Sequence, residues 1–135
     1  MAYRTGSGGH AEPETLYAAV GGMSFFERLV DGFYDRVEQD AVLLALYPEP
    51  HDLGPARTQL RLFLAQYLGG PATYSQMRGH PRLRMRHVPF AIGEDERDRW
   101  LVAMNGAIDE LDPPTPIAGA LRDYFAMAAD AMRNR

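Results

Sequence analysis

The chain has neither cysteine nor lysine; all fourteen of its basic residues are arginine. The lack of thiols excludes a thiolate-ligated haem, a covalent c-type haem, an iron–sulfur cluster and a cysteine-built zinc site. The lack of side-chain amines excludes a Schiff-base lysine and the lysine of a phosphate-binding P-loop. No apolar run approaches the roughly 20 residues of a membrane span, and the N-terminus has no apolar core of the kind a secretory signal carries. A cysteine-free chain fits the cytoplasm, which is the expected location. The formal charge of −4 argues against nucleic acid as a partner. What remains is the chemistry of histidine, carboxylate and tyrosine. A haem held through one neutral imidazole needs only one suitable histidine, and the chain has four.

At 135 residues and 46% apolar content the chain can build one domain with a real core. Met1–Glu14 is polar, carries Gly6, Gly8 and Gly9, and reads as a flexible tail. Thr15–Val20 reads as a short helix stopped by Gly21-Gly22. Ser24-Phe25-Phe26-Glu27 has the form of a capping box, which predicts Ser24 as the cap of a helix over Ser24–Glu38. Its inner face is Phe26, Val30, Phe33, Tyr34 and Val37. Asp40 is placed to cap a second short helix, Ala41–Leu46, which Pro48 and Pro50 stop, leaving Tyr47 at its exit. Beyond the loop Glu49–Gly54, Pro55 suits the first turn of a helix. That helix turns Ala56, Leu60, Phe63, Leu64 and Tyr67 inward and ends at Gly69-Gly70-Pro71.

Gly93 followed by Glu94, Asp95 and Glu96 is a strong helix start, because acidic side chains favour the positive end of the helix dipole. Trp100, Met104, Ala107, Ile108 and Leu111 form the inner stripe. Asp112-Pro113-Pro114-Thr115-Pro116 breaks the chain, and a last helix from about Ile117 to Met132 faces Leu121, Tyr124, Phe125 and Ala128 inward. No β alternation and no repeat is found, so the fold class is all-α.

Between these helices lies Gly79-His80-Pro81-Arg82-Leu83-Arg84-Met85-Arg86-His87-Val88-Pro89-Phe90. Ala72–Arg78 before it allows a turn of helix around Tyr74, and Pro81 and Pro89 leave room for a short helix over Arg82–Val88. Taken alone, His87 is a partly buried histidine before a proline, and the alternating Arg82, Arg84 and Arg86 cannot all point one way on a helix. In order along the chain, Tyr17-Ala18-Ala19-Val20-Gly21-Gly22, Phe33-Tyr34, Leu46-Tyr47-Pro48, Phe63 to Pro71, the central string and Arg97-Asp98-Arg99-Trp100-Leu101 resemble a group II truncated haemoglobin of actinobacterial type. The similarity covers roughly Leu16 to Arg133, and the order and spacing of the pieces make it specific.

The resemblance implies a two-over-two helical sandwich around haem b, with residues 15–135 as the truncated globin domain and residues 1–14 as a tail. It implies His87 as the proximal iron ligand, and Arg84, Arg86, Tyr67 and Phe63 as haem contacts, the first three toward the propionates. Arginine suits such carboxylates because its planar fork meets them with two charge-assisted bonds; solvated surface charge is the alternative for each arginine. On the ligand side the resemblance implies Tyr34, Tyr47 and Trp100, with Ala56 and Leu60 on the distal helix, Ala56 standing where longer globins carry a histidine. Phenol hydroxyls and the indole N–H can donate to a diatomic ligand that gains negative charge, although such rings more often only fill a core.

The function implied is binding of O2, NO, CO or peroxide at a five-coordinate iron, for redox chemistry rather than bulk transport. NO-dioxygenase-like or peroxidase-like turnover would need an external reductant, since the chain shows no flavin or reductase motif. The rival reading is a non-catalytic sensor or storage globin, which the lack of an output module within the chain disfavours. A homodimer stays open. His87→Ala is expected to lose haem retention or alter the ferrous absorption spectrum; normal retention and a normal spectrum would remove His87 from the iron.

Overall fold

The computed structural model describes residues 3–4, 13–71 and 92–133. Two residue pairs form an antiparallel ladder between β1 (Tyr3–Arg4) and β2 (Pro13–Glu14), within the segment expected to lack structure. The other described elements are helical: α1 (Leu16–Ala19), α2 (Met23–Val37), α3 (Ala41–Leu44), α4 (Gly54–Tyr67), α5 (Glu94–Leu111) and α6 (Thr115–Met132). α2 packs on α4 and α5, and α5 on α6, so the pair α2/α4 lies over the pair α5/α6. No described helix is long and apolar enough to cross a membrane. The short helices proposed around Tyr74 and over Arg82–Val88 lie outside the described residues, as do His80, Arg82, Arg84, Arg86 and His87.

The helix starts follow local chemistry, with one correction. Asp40 Oδ1 accepts from the backbone N–H groups of Val42 and Leu43 at 3.0 and 3.2 Å, capping α3 as its position predicts. Glu96 reaches back to the Gly93 N–H at 2.7 Å, and three acidic residues occupy the first turn of α5. Ser24, however, does not cap α2. The helix starts one residue earlier, with Gly22 at the N-cap and no side-chain capping bond. The reason is the glycine pair: Gly21 and Gly22 take φ of +94° and +85°, a region glycine enters at no steric cost. The Gly22 N–H then donates to the Tyr17 carbonyl at 2.9 Å, which places Ser24 inside the first turn.

The second glycine pair closes the far end of α4 against α1. Gly69 has φ +106°, and a Cβ there would collide with the Thr15 side chain. Tyr17 N–H donates to the Leu68 carbonyl at 2.9 Å, tying the two segments by backbone.

The core lies between the two helix pairs. Phe26, Phe33 and Phe125 are fully buried, as are Leu29, Leu64, Met104, Ile108 and Leu121. Burying each large side chain stabilises the fold by roughly 1.5–3 kcal/mol. α2 and α5 approach closely because small residues meet: a Cβ on Gly32 would lie 3.4 Å from Ala107 Cβ. The inner faces expected for α2 and α6 are buried, except that Tyr124 is only half-buried. α4 departs further. Phe63, Leu64 and Ala65 are buried, Ala56 and Leu60 are half-buried, and Tyr67 is 55% exposed. Tyr67 sits at the last turn of α4, where its ring stacks on Phe63 and meets Tyr124 of α6.

Asp40 also takes Arg99 Nη1 on both carboxylate oxygens, at 3.1 and 3.2 Å. Burial pushes its pKa up, but the α3 N–H groups and Arg99 outweigh this and hold it below the ordinary value. A carboxylate whose folded pKa is depressed stabilises the fold above its unfolded pKa, and that contribution is lost as pH falls through the folded value. Asp40→Ala is therefore expected to cost about 1 kcal/mol at pH 7. The deficit should shrink as urea titrations are taken to pH values below about 4, the ordinary Asp range; an equal deficit at all pH values would exclude the carboxylate as its source.

Candidate functional site

Three of the five ligand-side residues are joined by ring contacts through Phe33, and two of them line one cleft. Tyr34 on α2 is buried, and its ring meets Tyr47 edge-on with centroids 5.4 Å apart. Trp100 on α5 is 8% exposed and packs against Phe33 at 5.1 Å and Phe125 at 5.7 Å. Tyr47 and Trp100 both line a small cleft with Leu46, Ile92, Glu96, Arg97 and Met132. Ala56 and Leu60 lie on the half-buried side of α4, packed against the core rather than on this cleft.

Burial raises the Tyr34 phenol well above its ordinary value. The neighbouring Tyr47 hydroxyl raises it further, and Arg57 pulls weakly the other way. Tyr47 is pushed up to about 12 by burial, while its hydrogen bond with Tyr34 acts in the opposite direction. Both phenols therefore stay protonated at neutral pH.

The other polar groups of the cleft are already engaged. Glu96 accepts from Gly93 N–H at 2.7 Å, and Arg97 binds Asp98 at 2.7 Å and Asp130 of α6 at 3.0 Å. The Trp100 indole makes ring contacts but no hydrogen bond among the described residues. Tyr47 and Trp100 thus bring an O–H and an N–H group to the lining of the cleft, beside the apolar Leu46, Ile92 and Met132. No cluster of metal-ligating side chains occurs among the described residues.

Trp100 is oriented from both sides. Arg97 ties α5 to Asp130 on α6, while Arg99 reaches Asp40 at the start of α3 and Asp95 one turn back. The rotation of α5 about its axis is fixed by ion pairs to two different elements, and Trp100 lies between them.

Arg57 is a residue the sequence reading passed over. From the first turn of α4 it binds Asp31, Asp35 and Glu38 of α2 at 3.1, 3.1 and 3.4 Å, and it stands 5.7 Å over the Tyr34 ring. The signal was present: Asp31, Asp35 and Glu38 recur at helical spacing, and a stripe of one sign calls for an opposite charge. The placement of Arg57 over Tyr34 fixes how α4 crosses α2 above the tyrosine pair. Of the expected haem contacts, Phe63 is buried and Tyr67 is exposed; Arg84, Arg86 and His87 fall outside the described residues.

These features agree with the relatives of the chain. The profile of the bacterial-like globin family matches residues 15–134. The group 2 truncated hemoglobin YjbI of Bacillus subtilis is 38% identical over 109 residues, covering 81% of this chain and 77% of that protein. The X-ray structure of a thermostable hemoglobin from the actinobacterium Thermobifida fusca superposes with a TM-score of 0.86 at 55% identity, over 90% of this chain and 98% of that one. The X-ray structure of a truncated oxygen-avid haemoglobin from Bacillus subtilis gives 0.83 at 36% identity, over 90% and 100%. Fold, sequence and the aromatic cleft lead to one conclusion: the chain belongs to the bacterial-like globins, as a haem-binding globin of the group II truncated, two-over-two kind.

Proposed function

We propose that the protein binds oxygen and other diatomic ligands at an iron held by His87, and that Tyr34, Tyr47 and Trp100 restrain the ligand for redox chemistry rather than for transport. A haem held by one imidazole supplies an open coordination position for such a ligand. The observation that carries the reading is the meeting of Tyr47 and Trp100 on one cleft, each bearing a group that can donate. The residues present fit the group. Leu46, Ile92 and Met132 give the cleft an apolar lining, both phenols stay protonated, and the charged Glu96 and Arg97 have partners of their own.

Each donor acts on its own atom. Tyr34 packs edge-on against Tyr47, and Tyr47 donates its hydrogen to the ligand. Trp100, packed against Phe33 and Phe125, offers its N–H. A hydrogen bond to a charged acceptor is worth roughly 1.5–3 kcal/mol, so two donors slow ligand release strongly when both bonds must break together. Slow release suits a ligand kept for reaction with nitric oxide or for reduction, with electrons from a separate cytoplasmic reductase or small reductant. The oxygen-avid character named for the B. subtilis haemoglobin supports the same reading.

Ala56 cannot bond a ligand, and its small side chain leaves an entry path beside α4 in this proposal. Ala56→Leu should then slow oxygen association; equal rates would dispose of the path. For the donors, Trp100→Phe keeps most of the ring and removes the N–H. Oxygen dissociation from the ferrous protein, followed by stopped flow, should accelerate by about tenfold or more, the kinetic equivalent of roughly 1.5 kcal/mol. An unchanged rate would reduce Trp100 to packing.

A further inference from the structure

Arg57 reaches four oxygen atoms from one side chain. Its Nη1 donates to the Asp31 carbonyl at 3.2 Å and to the Asp31 carboxylate at 3.1 Å. Its Nη2 donates to Asp35 at 3.1 Å and to Glu38 at 3.4 Å. All four acceptors lie on α2 or at its C-cap, whereas Arg57 stands in the first turns of α4, one residue after Ala56. Its side chain is 22% exposed. Held in this way, the guanidinium carbon lies 5.7 Å from the centre of the Tyr34 ring. Tyr34 in turn meets Tyr47 at 5.4 Å.

We propose that Arg57 is a positioning residue for ligand restraint: its guanidinium, clamped by α2 over the Tyr34 ring, holds that ring against Tyr47 and makes the Tyr34 hydroxyl a stronger donor. This rests on the reading of the pocket given above and adds a control that lies outside the cleft.

Two effects of one charge act together. A cation over an aromatic face is attracted to its electron density, so the Tyr34 ring is hindered from turning out of its place. The same charge draws electron density away from the phenol oxygen, and the hydroxyl then gives its hydrogen more readily to an acceptor. Arg57 accordingly pulls the Tyr34 phenol downward in pKa, against the larger upward push of burial. The hydroxyl stays protonated and becomes the better donor. The three carboxylates do not cancel this. Their side chains are half to two-thirds exposed, so water screens them, while the guanidinium lies against the ring. A lysine at this position would bring the charge, but it has no planar fork to engage all four oxygens at once.

The test uses the haem-loaded full chain in the ferrous state, with the haem absorption band retained in each variant. Arg57→Gln keeps a polar side chain and removes the charge. Oxygen dissociation should accelerate by about threefold or more, the scale of one cation–π contact. The C–O stretch of the carbon monoxide complex should rise, because a weaker donor draws less electron density into the antibonding orbital of that bond. Arg57→Lys restores the charge without the fork and should fall between the two in both measurements. In Tyr34→Phe the hydroxyl is gone, so adding Arg57→Gln should change the rate much less than it does alone.

A lowered melting temperature in Arg57→Gln with an unchanged dissociation rate and stretch would reduce Arg57 to a tie between helices and overturn the proposal. An equal effect of Arg57→Gln with and without the Tyr34 hydroxyl, or a lysine variant as fast as the glutamine one, overturns it as well. All three results leave the pocket reading standing where Trp100→Phe still accelerates release. Should Trp100→Phe and Tyr34→Phe both leave release unchanged, the pocket reading falls and the role of Arg57 falls with it.

Discussion

The packing of Trp100 between Phe33 and Phe125 joins three helices at one ring, and the functional arrangement depends on it. Phe33 comes from α2, Trp100 from α5 and Phe125 from α6. The indole therefore sits where the two layers of the sandwich meet. Its ring is part of the core, and the residue also lines the cleft that Tyr47 shares. An aromatic ring with a polar tip can serve both purposes because burial stabilises the ring and only the N–H needs a partner. The close crossing of α2 and α5 at Gly32 and Ala107 sets the separation at which these rings touch. Larger side chains at that crossing would push Phe33 away from Trp100.

Electrostatics then fixes the orientation that packing leaves free. Apolar contacts are non-directional, and a helix such as α5 can roll by some degrees over a smooth core at little cost. Arg97 and Arg99 remove that freedom by binding acidic partners on α6 and α3. Arg57 does the same for α4 across α2, and it places a positive charge over the Tyr34 ring. Exposed ion pairs add little to stability one by one. Their value here lies in register, because each joins a donor-bearing helix to a different neighbour.

Much of the fold was legible in the sequence because it is written in local rules. The apolar spacing of α2, α5 and α6, the Asp40 cap, the Glu96 capping contact and the two glycine pairs each act within a few residues. The start of α2 was misread at Ser24 because two signals compete there. The left-handed glycines end the preceding turn one residue before a side-chain cap could act. Tyr67 is more exposed than its place on the inner face of α4 suggests, because helical spacing gives the face of a residue but not the depth of the layer that covers it. The site was legible in part. Tyr34, Tyr47 and Trp100 were named from family resemblance, and the structure gathers them. The role of Arg57 was hidden because its partners lie on a different helix, and no local pattern states which helices will cross.

The two charged residues of the cleft, Glu96 and Arg97, are held by partners of their own, which leaves neutral groups to meet the ligand proposed for it. An unpartnered ionised group there would hold a full charge whether or not a ligand were present, at a desolvation cost. Hydroxyl and indole donors carry no net charge and lose little when the cleft is empty, yet they align with an acceptor as it gains charge. Burial keeps both tyrosines protonated at neutral pH. Tyr34 meets Tyr47 edge-on, so each ring helps to bury the other, and the same burial that stabilises the rings keeps their hydroxyl groups able to donate.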